Sequence, residues 1–335
     1  MKQTCCFGEI LIRLSPPPDG RWLKQGVMPT FIGGAELNVA QALARWHQPV
    51  RYISALPENF LSASIMGGLA DTGIDLSRME TREGRVGLYY LAQGVDMKQA
   101  DVIYDRTESA FARMKTGEVD WAQSLDGCNW LHVSAISPGL SEHASQVQLE
   151  AVRYACENGM TVSIDLNYRS RLWRYGKRPA EIMRQIMPYC TLAMGNLWAV
   201  RDLLDLPCPI SGSVGHSDEE MVEAAHQSIT TLGDHFPGLR NIAYTFRLDG
   251  RYFGVFSDQD NLHVSGKFHQ DHVMDRVGSG DCFMAGIIHG MQNEWSGKMT
   301  VQFAASAAVG KMMEIGDSTK QDTRTIKDRM EMYAG

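Results

Sequence analysis

Hydrophobic positions along the chain follow two alternating periods. Short runs rich in Val, Ile and aromatic residues at 50–55 (VRYISA), 129–135 (NWLHVSA), 161–166 (TVSIDL) and 241–246 (NIAYTF) predict core strands. Between them, Val39, Leu43 and Trp46, and later Phe283, Ile287, Ile288 and Met291, recur at the three-and-four spacing of an amphipathic helix. This exchange of strand and helix predicts a mainly parallel sheet covered by helices. The apolar stretch 5–14 reads as a first strand: Glu9 and Arg13 interrupt it, and no small-residue cleavage site follows as a signal peptide would require.

Two regions break the exchange. Region 10–31 contains the turn Ser15-Pro16-Pro17-Pro18-Asp19-Gly20, and region 85–107 reads as two strands (RVGLYYLA and DVIYDR) about a polar turn near 94–99. They predict a small antiparallel sheet projecting from the body, placed to act as a lid over a cleft. Segment 207–218 reads as a surface loop and no internal repeat is present, so residues 1–335 are read as one α/β domain with its lid at about 10–31 and 85–107.

Composition narrows the function classes. With 44% hydrophobic and 21% charged residues, and only 12 prolines beside 32 glycines, the chain is neither disordered nor collagenous. Its 39 acidic against 32 basic residues give a net charge of −7, which excludes a general attraction to nucleic acid or anionic membrane. Seven scattered cysteines without a C-x-x-C pair point away from a zinc or redox centre and toward a reducing, cytoplasmic setting. No apolar run reaches the roughly 18 residues of a membrane span. His263, His269 and His272 lie near one another but lack a metal-binding spacing, and are read as loop residues.

The common nucleotide and hydrolase fingerprints are absent. Gly278-Ser279-Gly280 continues as Asp281-Cys282-Phe283 and fails the dinucleotide pattern, Gly310-Lys311 lacks the upstream glycine of a P-loop, and neither G-x-S-x-G nor H-E-x-x-H occurs. What remains is Asp275-Arg276-Val277-Gly278-Ser279-Gly280-Asp281, running directly into an amphipathic helix. Its glycines permit a tight turn, and the first helical amides then point outward at the positive end of the helix dipole, forming an anion hole. An acid at the mouth of that hole is poised to take a proton from a hydroxyl while the amides hold a transferring phosphoryl group. On spacing alone, Asp281 as a simple helix cap is the favoured reading. Phe31-Ile32-Gly33-Gly34-Ala35-Glu36-Leu37-Asn38 is a second glycine-to-helix site, either a plain turn or a place where a sugar meets the backbone and Asn38.

Taken together, G-G-x-x-x-N near the start and D-x-V-G-x-G-D-x-F near the end resemble the paired signatures of the ribokinase-like, PfkB-type carbohydrate kinases. The resemblance runs through GGAELNVAQALARW, LADTGID at 69–75, WLHVSAISPGLS at 130–141 and SIDLNYRSRLW at 163–173. Within the family the chain is most similar to the 2-keto-3-deoxygluconate kinases, on Gly87-Leu88-Tyr89-Tyr90, Tyr104-Asp105-Arg106 and Asp165-Leu166-Asn167-Tyr168-Arg169.

The resemblance implies a three-layer α/β sandwich with a β-sheet lid, ATP and Mg2+ as cofactors and an acid-sugar substrate; separately, the apolar lid faces of Leu88 and Tyr90 would be covered by pairing lid to lid, which predicts a homodimer. The resemblance makes Asp281 the general base and Gly278, Ser279 and Gly280 the anion hole. The sugar would meet Gly33, Gly34, Asn38, Tyr89, Tyr104, Arg106, Arg169 and Asp317, and the nucleotide Asn196, Thr245, Gly250, Gly278 and Gly280. Tyr90 is read as lid packing. The arginines agree with the chemistry, since a guanidinium is a planar two-pronged donor for a carboxylate. The family's N-x-x-E element falls at Asn196-Leu197-Trp198-Ala199, where Ala199 replaces the acid and leaves the metal-organising residues unassigned. The segment beside the adenine, 245–250, keeps Thr245 and Gly250 around bulkier residues. A same-fold kinase for fructose or ribose, and a sugar- or nucleotide-binding regulator without catalysis, are the alternatives.

Overall fold

The computed structural model describes residues 2–17, 26–92, 102–212, 215–248, 250–259, 261–270 and 272–333. The polar turn near 94–99 and residues 18–20 of the Pro-rich turn lie outside them.

The predicted hydrophobic runs become neighbouring strands of one sheet. Val50–Ile53, Gln3–Phe7, Cys128–Ser134, Thr161–Asp165, Leu192–Gly195 and Asn241–Leu248 pair in that order, all parallel. Arg251–Asp258 and then Asn261–Val264 extend the sheet in antiparallel fashion. Both faces of the parallel part are covered. One core joins the sheet to helices Glu142–Glu157, Pro179–Ile186, Leu197–Leu204 and Asp218–His235; the other joins it to Ala35–Arg45, Ser279–Gln292, Gly297–Met312 and Thr323–Met332. These are the three layers of a ribokinase-like sandwich. Strands buried on both faces explain why their sequences read as continuous apolar runs. No helix among the described residues is long and apolar enough to cross a membrane.

The lid is a four-stranded sheet in the order Thr30–Gly33, Leu11–Leu14, Gly87–Tyr90, Ile103–Asp105. Its two outer pairings are antiparallel, as the sequence predicts, but Leu11–Leu14 and Gly87–Tyr90 run parallel. The cause is the path between them: parallel neighbours require a long crossover, and here the crossover is part of the body, including Ala35–Arg45 and Phe60–Ala70. Stretch 5–14, read as one strand, is also two. Gln3–Phe7 enters the main sheet and Leu11–Leu14 enters the lid, with Gly8-Glu9-Ile10 as the bend between them.

Of the three histidines read as loop residues, His263 and His269 instead lie in the strands Asn261–Val264 and Phe268–His269, and His263 Nε2 donates a 2.8 Å hydrogen bond to Asp258 Oδ2 at the sheet edge. No group of three His, Cys, Asp or Glu able to hold a metal occurs among the described residues. All seven cysteines are free thiols.

Candidate active site

A cavity of about 580 Å³ opens where the parallel strands end, between the lid and the helix Ser279–Gln292. In open α/β sheets this edge is where ligands bind, because loops and helix N-termini converge there. Two glycines shape it. Gly34 (φ 142) and Gly278 (φ 77) adopt backbone conformations that L side chains avoid, and a Cβ on Gly34 would overlap the Glu9 carbonyl, one on Gly278 the Asp317 carbonyl.

Gly278 starts the helix that carries Asp281 in its first turn, and no side chain caps that helix. Among the described residues the amides of Gly278, Gly280 and Asp281 have no backbone partner, whereas that of Ser279 turns back 3.3 Å onto the Arg276 carbonyl. The amides open at this turn are therefore those of Gly278, Gly280 and Asp281, while Ser279 braces the turn by its N–H and by an Oγ bond of 2.8 Å to the same carbonyl. The Asp281 carboxylate accepts a 2.7 Å bond from Asn38 Nδ2 and caps nothing. Burial pushes its pKa up to about 7, further raised by Glu36 and Asp317 and opposed by the Asn38 bond and by Arg169. A carboxyl tuned to that range is suited to accept a proton near neutrality. Asn38 Oδ1 is buried without a partner, an acceptor left over at the cavity wall.

The other predicted residues separate into two groups. Gly34, Asn38, Tyr89, Tyr104, Arg106, Arg169, Asn196, Thr245, Gly278, Ser279, Gly280, Asp281 and Asp317 all border the one cavity. Gly33 and Gly250 stand outside its lining: Gly33 packs against the Asp317 carboxylate, and Gly250 makes an exposed turn beside Arg251–Asp258. Tyr90 is half-buried in the lid and also outside the lining.

Several bordering residues are already engaged. Arg106 is buried, and its Nε and Nη2 lie 2.7 and 2.6 Å from Glu9 Oε2. Tyr89 donates 2.6 Å to Asp317 Oδ2, and Asp317 Oδ1 lies 2.8 Å from Arg13 Nε. Arg169 bonds the Tyr168 carbonyl at 3.0 Å and has no carboxylate in ion-pair contact among the described residues. Its charge is felt by both Asp165 and Asp281. Asn196 caps the helix Leu197–Leu204, accepting from the Trp198 and Ala199 amides at 3.1 and 2.9 Å.

The residue that sequence reasoning left without a role is Asp165. It ends the strand Thr161–Asp165, borders the cavity, and has its pKa raised by burial and then by repulsion from Asp281. The available signal was position: an acid at the carboxyl end of a buried parallel strand faces the ligand edge. Asp202 is the other unassigned acid; it lies on the helix that carries Ala199 and lines the cavity with Asp165. Asp202 Oδ1 is held 2.7 Å from Arg201 Nε. Magnesium keeps most of its waters and arrives on substrate phosphates, so the acids it would meet here are Asp165 and the second oxygen of Asp202, with no three-residue metal cage among the described residues.

The profile of the pfkB family carbohydrate kinases matches residues 1–324. A 2-dehydro-3-deoxygalactonokinase of Haloferax volcanii is 34% identical over 167 residues, 50% of this chain and 52% of that protein, so the chain matches about half the length of that relative. A 2-dehydro-3-deoxygluconokinase of Bacillus subtilis is 26% identical over 95% of this chain and 92% of its own. Among solved structures, the 2-dehydro-3-deoxygluconokinase of Thermotoga maritima superposes with a TM-score of 0.88 at 28% identity, covering 99% of this chain and 100% of that one. The family match spans nearly the whole length, both glycine turns meet at one cavity, and the chain belongs to the pfkB family of carbohydrate kinases as an ATP-dependent sugar kinase.

Proposed function

We propose that the enzyme transfers the γ-phosphoryl group of ATP to the 6-hydroxyl of 2-keto-3-deoxygluconate, with Asp281 as general base. The observation that carries the reading is one cavity that brings a buried carboxyl with a pKa of about 7 to the mouth of free helix amides, within the field of Arg169. Asp281 takes the hydroxyl proton, and the freed oxygen attacks the γ-phosphorus in line. As the bond from that phosphorus to the β-bridging oxygen breaks and ADP departs, the amides of Gly278, Gly280 and Asp281 hold the charge on the transferring oxygens. Magnesium supplies charge neutralisation on the phosphates.

The relatives' names, 2-dehydro-3-deoxygluconokinase and its galactono counterpart, support a 2-keto-3-deoxy aldonic acid and leave the C4 epimer open. Competition decides. The enzyme meets ATP, magnesium and an equimolar mixture of 2-keto-3-deoxygluconate, its galactonate epimer, gluconate, fructose and ribose, with products read by mass spectrometry. A phosphorylated 2-keto-3-deoxy acid supports the proposal; a phosphorylated neutral sugar overturns it in favour of the same chemistry on another substrate. The Glu9–Arg106 ion pair favours that second reading, since it offsets one of the two arginines assigned to the substrate carboxylate.

Arg169→Ala separates them further. A bond to a charged group contributes about 1.5–3 kcal/mol, so KM for the acid sugar should rise by about 10- to 100-fold with little change for a neutral analogue. Equal loss for both sugars removes carboxylate recognition from Arg169.

The homodimer is likewise proposed. Leu88 packs partly into the body core, so the apolar face offered to a partner centres on Ile103, half exposed at the outer lid strand. Light scattering after size exclusion is expected to give twice the chain mass, and Ile103→Asp is expected to return it to one. A monomeric wild type removes the lid interface.

A further inference from the structure

Lys311 carries no part of the reaction described above, yet its side chain is wholly buried. It stands one residue before the end of the helix Gly297–Met312 and its stem runs directly beneath the anion turn: a Cβ on Gly278 would lie 3.4 Å from Lys311 Cε. Its Nζ donates 3.2 Å to the Glu314 carbonyl. The next residue, Met312, accepts from the Met274 and Asp275 amides at 2.8 and 3.2 Å, tying this helix end to the segment that leads into the turn. From the other side, the Gly316 amide donates 3.3 Å to Asp275 Oδ2.

Charge at this spot is closely matched. Asp275 and Asp317 are both buried, and Arg13 pairs with each of them. Burial raises the pKa of Asp317, and Arg13 and the Tyr89 hydroxyl oppose that rise; with both carboxyls ionised, two carboxylates against one guanidinium leave an excess negative charge behind the amides that must attract a phosphoryl group. Lys311 lies within the field of Asp275, Glu314 and Asp317, and that attraction opposes the burial which lowers its pKa. A cation at a helix C-terminus is also favoured by the helix dipole.

We propose that Lys311 is a positioning residue for phosphoryl transfer: its ammonium is a fixed counter-charge beneath the 278–280 turn, cancelling the carboxylates behind the anion hole and holding the turn in shape without touching substrate. The proposal rests on the kinase reading of that turn. It differs from a packing role in one respect, because a counter-charge is replaceable by a free cation and a packed side chain is not.

The test uses Lys311→Ala, which opens a space behind the turn, and Lys311→Met, which fills the space without charge. With the sugar that the wild type phosphorylates, both variants are expected to lose about 10- to 100-fold in kcat, less than one removed donor of the hole itself, with KM for the sugar within threefold. Ammonium, methylammonium or potassium should restore Lys311→Ala in a saturable way and leave Lys311→Met unchanged. Calorimetric titration with a non-hydrolysable ATP analogue gives a second readout independent of the sugar. There Lys311→Ala should bind more weakly and recover with ammonium, so a wrong sugar assignment and a wrong role for Lys311 are distinguishable. Wild-type kcat in Lys311→Met overturns the proposal. So does a loss in Lys311→Ala of activity, nucleotide affinity or folded structure that no cation restores, since that result makes Lys311 a packing residue.

Discussion

Asp281→Asn is expected to lower kcat by about 10³-fold, within the range that a positioned general base contributes, while sugar and nucleotide still bind. The asparagine keeps the size of the aspartate, and its amide oxygen still accepts from Asn38, which holds the wild-type carboxylate at 2.7 Å. What it lacks is a basic site for the hydroxyl proton. The same residue fixes a pH dependence. Because burial raises its pKa to about 7, the carboxyl is protonated and inactive below that value and ionised above it. Wild-type kcat/KM should therefore climb as pH rises from 6 to 8 and then level off, and the residual activity of Asp281→Asn should show no such step. Asn38→Ala removes the strongest influence that favours the ionised form and should move the step to higher pH. Rapid-quench or coupled kinetics over that range, with calorimetry for binding, measures all three. A variant that retains wild-type kcat, or the same inflection, assigns the base elsewhere, and Asp165 is then the first residue to examine.

The parts of this enzyme that were legible in the sequence depend on local pattern. Doubly buried strands such as Thr161–Asp165 write themselves as apolar runs, and a glycine turn entering a helix can only present amides outward. These features located the sheet and the two glycine turns. Whether Asp281 caps its helix was not readable locally, because a first-turn acid can serve as a cap until its partner is known. That partner, Asn38, lies 243 residues away. The lid failed in one respect for the same reason: pairing direction follows from the route the chain takes through the body, which no periodicity records. Glu9 and Arg13 are the sharpest case. In the sequence they only interrupt an apolar stretch, whereas in the fold Glu9 holds Arg106 at the cavity wall and Arg13 joins the lid to both Asp275 and Asp317. A charge inside an apolar run signals a buried partner without saying which one.

Arg13→Met is expected to destabilise the protein by about 3–5 kcal/mol, the usual loss when one member of a buried ion-paired group is removed and its partners stay charged. Arg13 is fully buried on the lid strand Leu11–Leu14, with Nη2 2.5 Å from Asp275 Oδ2, Nε 2.8 Å from Asp317 Oδ1, and the guanidinium stacked 4.5 Å from the centre of the Phe31 ring. Methionine replaces the stem volume but neither ion pair, leaving two buried carboxylates with Lys311 as the remaining buried cation near them among the described residues. The effect should reach the site. Asp275 precedes the 278–281 turn, and Asp317 both abuts Gly278 and accepts the Tyr89 hydroxyl, so Arg13 pins the lid strand to that turn. Urea denaturation monitored by tryptophan fluorescence gives the loss directly. In an Asp317→Asn background, where one of the stranded charges is already gone, the same Arg13→Met change should cost less by about 1–3 kcal/mol, the coupling expected of residues in direct contact. If Arg13→Met costs under about 1 kcal/mol, or the two changes simply add, the buried charges are not holding lid and turn together, and that task passes to the backbone contacts between the Asp317 carbonyl and Gly278.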